Sequence, residues 1–96
     1  MAERLIISRN AFKDIDRIID FNNFRNQSTV YSSKIVKKLR IRFKKITENP
    51  SIGLKTSKPN VYLLIWDSFY IYYAYQSAQK TISVINIFHQ KENEAP

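Results

Sequence analysis

The hydrophobic period of this chain changes near Asn60, and that change limits what it can fold into. Before it, apolar residues recur at helical spacing. Ala11, Phe12, Ile15, Ile18 and Ile19 fall on one arc of a helical wheel, with Lys13, Asp14, Asp16, Arg17 and Asp20 outside it. The pattern predicts an amphipathic helix from Ala11 to near Phe24, capped by Ser8 or Asn10. Asn22-Asn23 and Arg25-Asn26-Gln27 then read as a polar break. A second, longer helix starts at Ser28 or Thr29, and its Tyr31, Ile35, Val36, Leu39, Phe43 and Ile46 share an arc of about 140°. Asn49-Pro50 ends it, because proline disfavours helical geometry in the residue before it, and Gly53 allows a turn. Two helices joined by a short polar break form an antiparallel hairpin.

After Asn60 the helical period is gone. Val61–Trp66, residues 69–75 and Thr81–His89 are rich in β-branched and aromatic side chains and read as three strands. Asp67-Ser68 and residues 77–80 are the turns between them. Leu5-Ile6-Ile7 adds a short strand at the start. The predicted order is β-α-α-β-β-β, an α+β fold with a helical hairpin packed on a small antiparallel sheet. Ninety-six residues suit one domain, here residues 1–91, followed by a polar tail at 92–96.

Charge follows the same division. Lys and Arg number 16 against 8 Asp and Glu, a formal net charge of +8, which calls for an acidic partner. Fourteen of the 16 basic residues lie between Arg4 and Lys58, and between Phe21 and Thr47 there are eight basic residues and no acid. The outer arc of the second helix carries Lys34, Lys37, Lys38, Arg40, Lys44 and Lys45, with Arg42 near its rim and Ile41 in its middle. An apolar residue amid that charge suits a partner contact, although a basic helix face is also compatible with simple solvation. Trp66, at a strand end beside a turn, is either a core anchor or an interface anchor. Residues 61–90 hold only Asp67 and Lys80, so the sheet is nearly neutral.

Several chemistries are excluded. With no Cys there is no disulfide framework, thiolate zinc site or Cys nucleophile. A single His, His89, excludes multi-His metal centres, and a single Gly excludes phosphate-cradling glycine loops. Asp16 and Asp20 are one turn apart, but Lys13 and Arg17 beside them indicate a solvated face rather than a carboxylate pair. The opening apolar run is shorter than a signal-peptide core, and residues 61–75 are broken by Asp67 and too short to span a bilayer. The expected setting is the cytoplasm, with no membrane, metal or small-molecule cofactor.

The order of these segments resembles the RelE/ParE superfamily, the toxins of type II toxin–antitoxin (plasmid stabilisation) modules. An apolar strand leads into a helix with the Ala11-Phe12-x-x-Ile15-x-x-Ile18 spacing. The basic helix ends in Glu48-Asn49-Pro50-Ser51-Ile52-Gly53, similar to the family's N-P-x-x-G turn. One strand reads Tyr70-Ile71-Tyr72-Tyr73, and the last reads Ile82-Ser83-Val84-Ile85-Asn86-Ile87-Phe88-His89.

The resemblance implies a toxin neutralised by a cognate acidic antitoxin that folds across the hairpin and sheet edges. Its nuclease members hold cationic and proton-transfer groups on the open face of the sheet, because the 2′-oxygen must be activated and the phosphorane charge stabilised. Here the second strand of the family pattern offers Tyr62, Leu63, Leu64 and Ile65 without a cation, and Ile71 follows Tyr70 where an Arg would stand. Only the end of the last strand, with His89 and Lys91, retains candidate groups. The resemblance therefore implies a ParE-like toxin acting on DNA gyrase. The docking residues would be Lys34, Lys37, Lys38, Arg40, Ile41, Lys44, Lys45 and Trp66. The alternatives are a ribosome-dependent mRNA endoribonuclease using His89 and Lys91, and a degenerate, non-toxic binding module.

Overall fold

A computed structural model describes residues 4–26, 30–66 and 69–89, with side chains outside residues 22–32. The elements are β1 (Arg4–Ile7), α1 (Arg9–Asn26), α2 (Val30–Glu48), β2 (Leu54–Lys55), β3 (Val61–Trp66), β4 (Phe69–Gln76) and β5 (Thr81–His89), with a 3₁₀ turn at Ser77–Gln79 before β5. The expected order is present, with the two-residue β2 added. Its length and its exposed residues leave no periodic signal in the sequence. α1 runs on through the expected break at Asn22 to Asn26, because helical hydrogen bonding outlasts the apolar pattern. The expected caps Ser28 and Thr29, the Asp67-Ser68 turn and the tail lie outside the described residues.

The sheet is mixed, not wholly antiparallel. Its strand order is β1-β5-β4-β3-β2, and β1 runs parallel to β5, with Ile7 opposite Val84. A parallel pair needs a long crossover, and the helical hairpin begins the one that connects them. The two helices cover one face. Ala11 and Ile18 of α1 and Ile35, Leu39 and Ile46 of α2 pack there with Phe69, Ile71, Tyr73, Ile82, Val84 and Ile87.

α1 also completes the edge of β5. The β1–β5 ladder stops at Val84, and the register between β4 and β5 shifts there: Tyr73 faces Val84 while Tyr72 faces Asn86, which leaves Ile85 as an extra residue in a bulge. Polar groups at the start of α1 take over. Ser8 caps the helix by accepting the Ala11 N–H at 3.1 Å, and its hydroxyl donates to the Ile85 carbonyl at 3.0 Å. The Asp14 carboxylate accepts the Ile87 N–H at 2.9 Å and the Asn86 amide at 3.2 Å. Arg17 donates to Asp14 at 2.6 Å and to the Ile87 carbonyl at 3.3 Å. Asp14, expected on the solvent arc, is therefore only 6% exposed, whereas Phe12, expected inside, is 55% exposed. The stripe that α1 buries is rotated toward Asp14 by these bonds.

A second lock ties the α2–β2 turn to the sheet. The Tyr73 hydroxyl donates to the Pro50 carbonyl at 2.6 Å and accepts the Gly53 N–H at 3.0 Å. A side chain at position 53 would put its Cβ 2.9 Å from that hydroxyl and 3.1 Å from the Leu63 carbonyl, so the turn needs glycine for close approach. Burial, opposed by the Gly53 hydrogen bond, holds the Tyr73 hydroxyl above its ordinary pKa of 10.0.

Two outcomes follow. Asp14→Ala strands a buried backbone N–H and lowers stability by about 1–3 kcal/mol, read as a fall in melting temperature, while Lys13→Ala on the exposed arc changes it by less than about 0.5 kcal/mol. Because the folded state holds the Tyr73 proton more tightly than the unfolded chain, its stabilisation is intact below about pH 10 and is lost as pH rises through the higher folded value. Urea midpoints between about pH 8 and 11 should fall more steeply in the wild type than in Tyr73→Phe.

Candidate functional site

The structure sorts the residues selected from the sequence into a basic helix face, a cleft, a covered histidine and an open sheet face. Lys34, Lys37, Lys38, Arg40, Lys44 and Lys45 are all exposed on α2, as their places on the wheel require. Ile41 is 54% exposed among them. Lys45 stands in the last turn of α2, where a cation complements the negative end of the helix dipole.

Part of this face meets the end of β3. Lys38, Ile41, Arg42 and Trp66 line a shallow cleft of about 210 Å³. Lys38 and Arg42 are one turn apart on α2 and so share a face. The Arg42 guanidinium sits 4.6 Å from the centre of the Trp66 ring, a cation–π contact. Its Nε is buried without a hydrogen-bond partner, which ordinarily costs about 1–3 kcal/mol. Trp66 is thus both a packing residue and a wall of the cleft: it stacks on Phe69 at 5.2 Å and 12°. Arg42 is the member of this group that the helical wheel passes over, because it falls at the rim between the apolar and basic arcs. Lys34, Lys37, Arg40, Lys44 and Lys45 do not line the cleft.

His89 lies at the far end of the same stack. Its ring centre is 4.7 Å from that of Phe69, and the residue is 2% exposed. The bulge at Ile85 places it there. Ile82 and Val84 face the helices at even positions, and the extra residue moves Ile87 and His89, at odd positions, to that same covered face. Lys91 lies outside the described residues.

The opposite face of the sheet is open. Leu63, Tyr70, Tyr72 and Phe88 line a depression there, with Tyr72 and Phe88 edge to face at 6.2 Å. A larger hollow of about 560 Å³ continues toward Leu54, Lys55 and Lys58. Ile71 is fully buried on the covered side, and Ile65, at 50% exposed, stands on the open side of β3. Aliphatic and aromatic groups therefore occupy the middle of this face, with Lys55 and Lys58 at one rim. Such a surface offers apolar contact and base stacking, and among the described residues no cation stands at its centre to stabilise a phosphorane.

This geometry can be set beside known proteins. The family model described as the ParE toxin of the type II toxin–antitoxin system parDE matches residues 5–94. Among solved structures, the chromosomal ParDE toxin–antitoxin system of P. aeruginosa is similar with a TM-score of 0.75 at 21% identity, over 92% of this chain and 96% of that one. The RelBE2 toxin–antitoxin complex of Mycobacterium tuberculosis gives 0.68 at 10% identity, over 93% and 99%. The intact E. coli RelBE complex gives 0.60 at 18% identity, over 92% and 96%. At these identities the structural likenesses bear on the fold alone. No significant match is found among curated proteins.

Removing the cation–π contact has a local signature. Arg42→Ala should raise acrylamide quenching of Trp66, the chain's one tryptophan, and lower stability by about 0.5–1 kcal/mol by thermal melt.

Proposed function

The chain belongs to the ParE toxin family of type II toxin–antitoxin systems, and on that premise we propose that it arrests growth by binding a protein target of the DNA gyrase class. The observation that carries this reading is the open face of the sheet. A nuclease of this superfamily works with cationic and proton-transfer groups on that face. Here its centre is Leu63, Tyr70, Tyr72 and Phe88, and the lone histidine is buried on the other side. A surface of this composition is suited to holding a polypeptide rather than to cleaving a phosphodiester.

The partner that restrains the toxin is an antitoxin, and in this reading it is acidic and docks on the basic face of α2. Lys34, Lys37, Lys38, Arg40, Lys44 and Lys45 supply charge, while Ile41 and Trp66 supply apolar anchors. Charged rims of this kind steer association and set specificity, and aromatic anchors carry much of the affinity. A segment that folds as it binds suits a small rigid basic domain. The toxin would act in the cytoplasm, where gyrase works; among the described residues no helix is long and apolar enough to cross a membrane.

The test uses the toxin expressed without its antitoxin. Growth arrest together with inhibition of purified gyrase in a supercoiling assay is the expected result. Codon-positioned mRNA cuts in an in-vitro translation reaction, lost in His89→Ala, would instead establish the endoribonuclease. Unaffected growth with soluble, folded protein would establish the non-toxic module. Reversing Lys34, Lys37 and Lys44 to Glu should weaken antitoxin binding by about tenfold at low salt, with a smaller difference at high salt.

A further inference from the structure

The cleft at the junction of α2 and β3 holds an arginine for which no hydrogen bond or ion pair is found among the described residues. Arg42 is held by the Trp66 ring at 4.6 Å, and its buried Nε has no acceptor. Among the described residues no ion pair of Arg42 exists, in contrast to Arg17, which is bound to Asp14 and to the Ile87 carbonyl. Lys38 adds a second cation to the same cleft, and among the described residues no carboxylate lines it. Its remaining walls are apolar: the exposed Ile41 and the Trp66 ring. Stacking on an aromatic ring fixes a guanidinium without using its donors, so the group is already oriented before a ligand arrives.

We infer that this cleft is a carboxylate receptor, which takes one Asp or Glu side chain of the antitoxin together with an adjacent apolar side chain. Arg42 receives the carboxylate through charge-assisted hydrogen bonds, Lys38 contributes a second positive charge, and Ile41 and Trp66 hold the apolar neighbour. Charge complementarity argues for this occupant: two cations and two apolar walls, with no acid among the described lining residues to satisfy them. The inference rests on the reading that an acidic antitoxin docks on α2. It adds that binding is centred on one residue at the rim of that face rather than spread evenly along its lysines.

Guanidinium geometry separates this receptor from a general basic patch. Lysine keeps the charge but neither stacks in the same way nor offers two parallel donors, so Arg42→Lys should not restore the contact. Calorimetric titration of the purified antitoxin into full-length toxin should show Arg42→Gln binding roughly 30-fold more weakly and Arg42→Lys at least about tenfold more weakly, as expected when one partner of a desolvated charge pair is removed. Lys13→Gln, exposed on α1 and outside both the cleft and the basic face of α2, should stay within about threefold of the wild type. In double-mutant cycles that pair Arg42→Gln with each Asp→Asn and Glu→Gln change along the antitoxin, one carboxylate should couple to Arg42. A thermal melt of each variant separates lost binding from lost folding.

Wild-type-like affinity in Arg42→Gln, full rescue by Arg42→Lys, or cycles in which no carboxylate couples would each overturn the receptor while leaving the docking of the antitoxin on α2 intact. Coupling of Arg42→Gln to Asp67→Asn in thermal stability, with antitoxin affinity unchanged, would also overturn it by assigning Arg42 to the chain's own acid. Failure of the wild-type toxin to bind the antitoxin at all would overturn the docking reading, and the receptor with it.

Discussion

The arrangement of this molecule depends on how the edge of β5 is satisfied after β1 ends. The parallel ladder reaches only Val84, yet β5 continues to His89. Backbone polar groups beyond that point would be left unpaired beneath the helical layer, at a cost comparable to a lost hydrogen bond for each. α1 removes the problem with side chains. Ser8 takes the Ile85 carbonyl, Asp14 the Ile87 N–H and Arg17 the Ile87 carbonyl. Because these three residues are within a few turns of one another, satisfying the strand also fixes the rotation of the helix. The helix then presents Ala11 and Ile18 to the core and leaves Phe12 outside.

The bulge within this edge divides the sheet's two faces. One extra residue at Ile85 reverses the alternation of β5, since side chains in a strand change face at every position. Ile87 and His89 thereby join the covered side, and Phe88 joins Tyr70 and Tyr72 on the open side. The one imidazole of the chain becomes a packing group against Phe69. Tyr73, paired with Val84 directly beside this bulge, holds the Pro50 and Gly53 backbone, so the end of the basic helix and the start of β2 are fixed relative to the core. The Asn-Pro-x-x-Gly turn and the tyrosine-rich strand, read separately in the sequence, are two halves of one contact.

The same packing turns a helix face and a strand end into one site. Ile41 and Lys38 sit on α2 and Trp66 on β3; in the sequence each stands out only by its charge or residue type, and only the fold makes them neighbours. Arg42 joins them because it can reach over the indole. An arginine at the rim of a helical wheel has no signature of its own, since its partner is an aromatic residue more than twenty positions away. The exposed lysines farther along the helix form a charged surround to that cleft, consistent with a docking surface that has an apolar centre and a cationic rim.

The sequence by itself determined the two helices, the strands from Val61 onward, the concentration of charge on α2 and the family resemblance. Each of these depends on local spacing or composition, which a linear pattern contains. Tertiary structure decided the parallel partner of β1, the two-residue β2, the burial of Asp14, the exposure of Phe12 and the covered side occupied by His89. The physical reason is common to all five. Each depends on hydrogen bonds or packing between separate elements, which no local period carries: Asp14 is read as a solvent residue until the Ile87 N–H, 73 positions away, needs an acceptor.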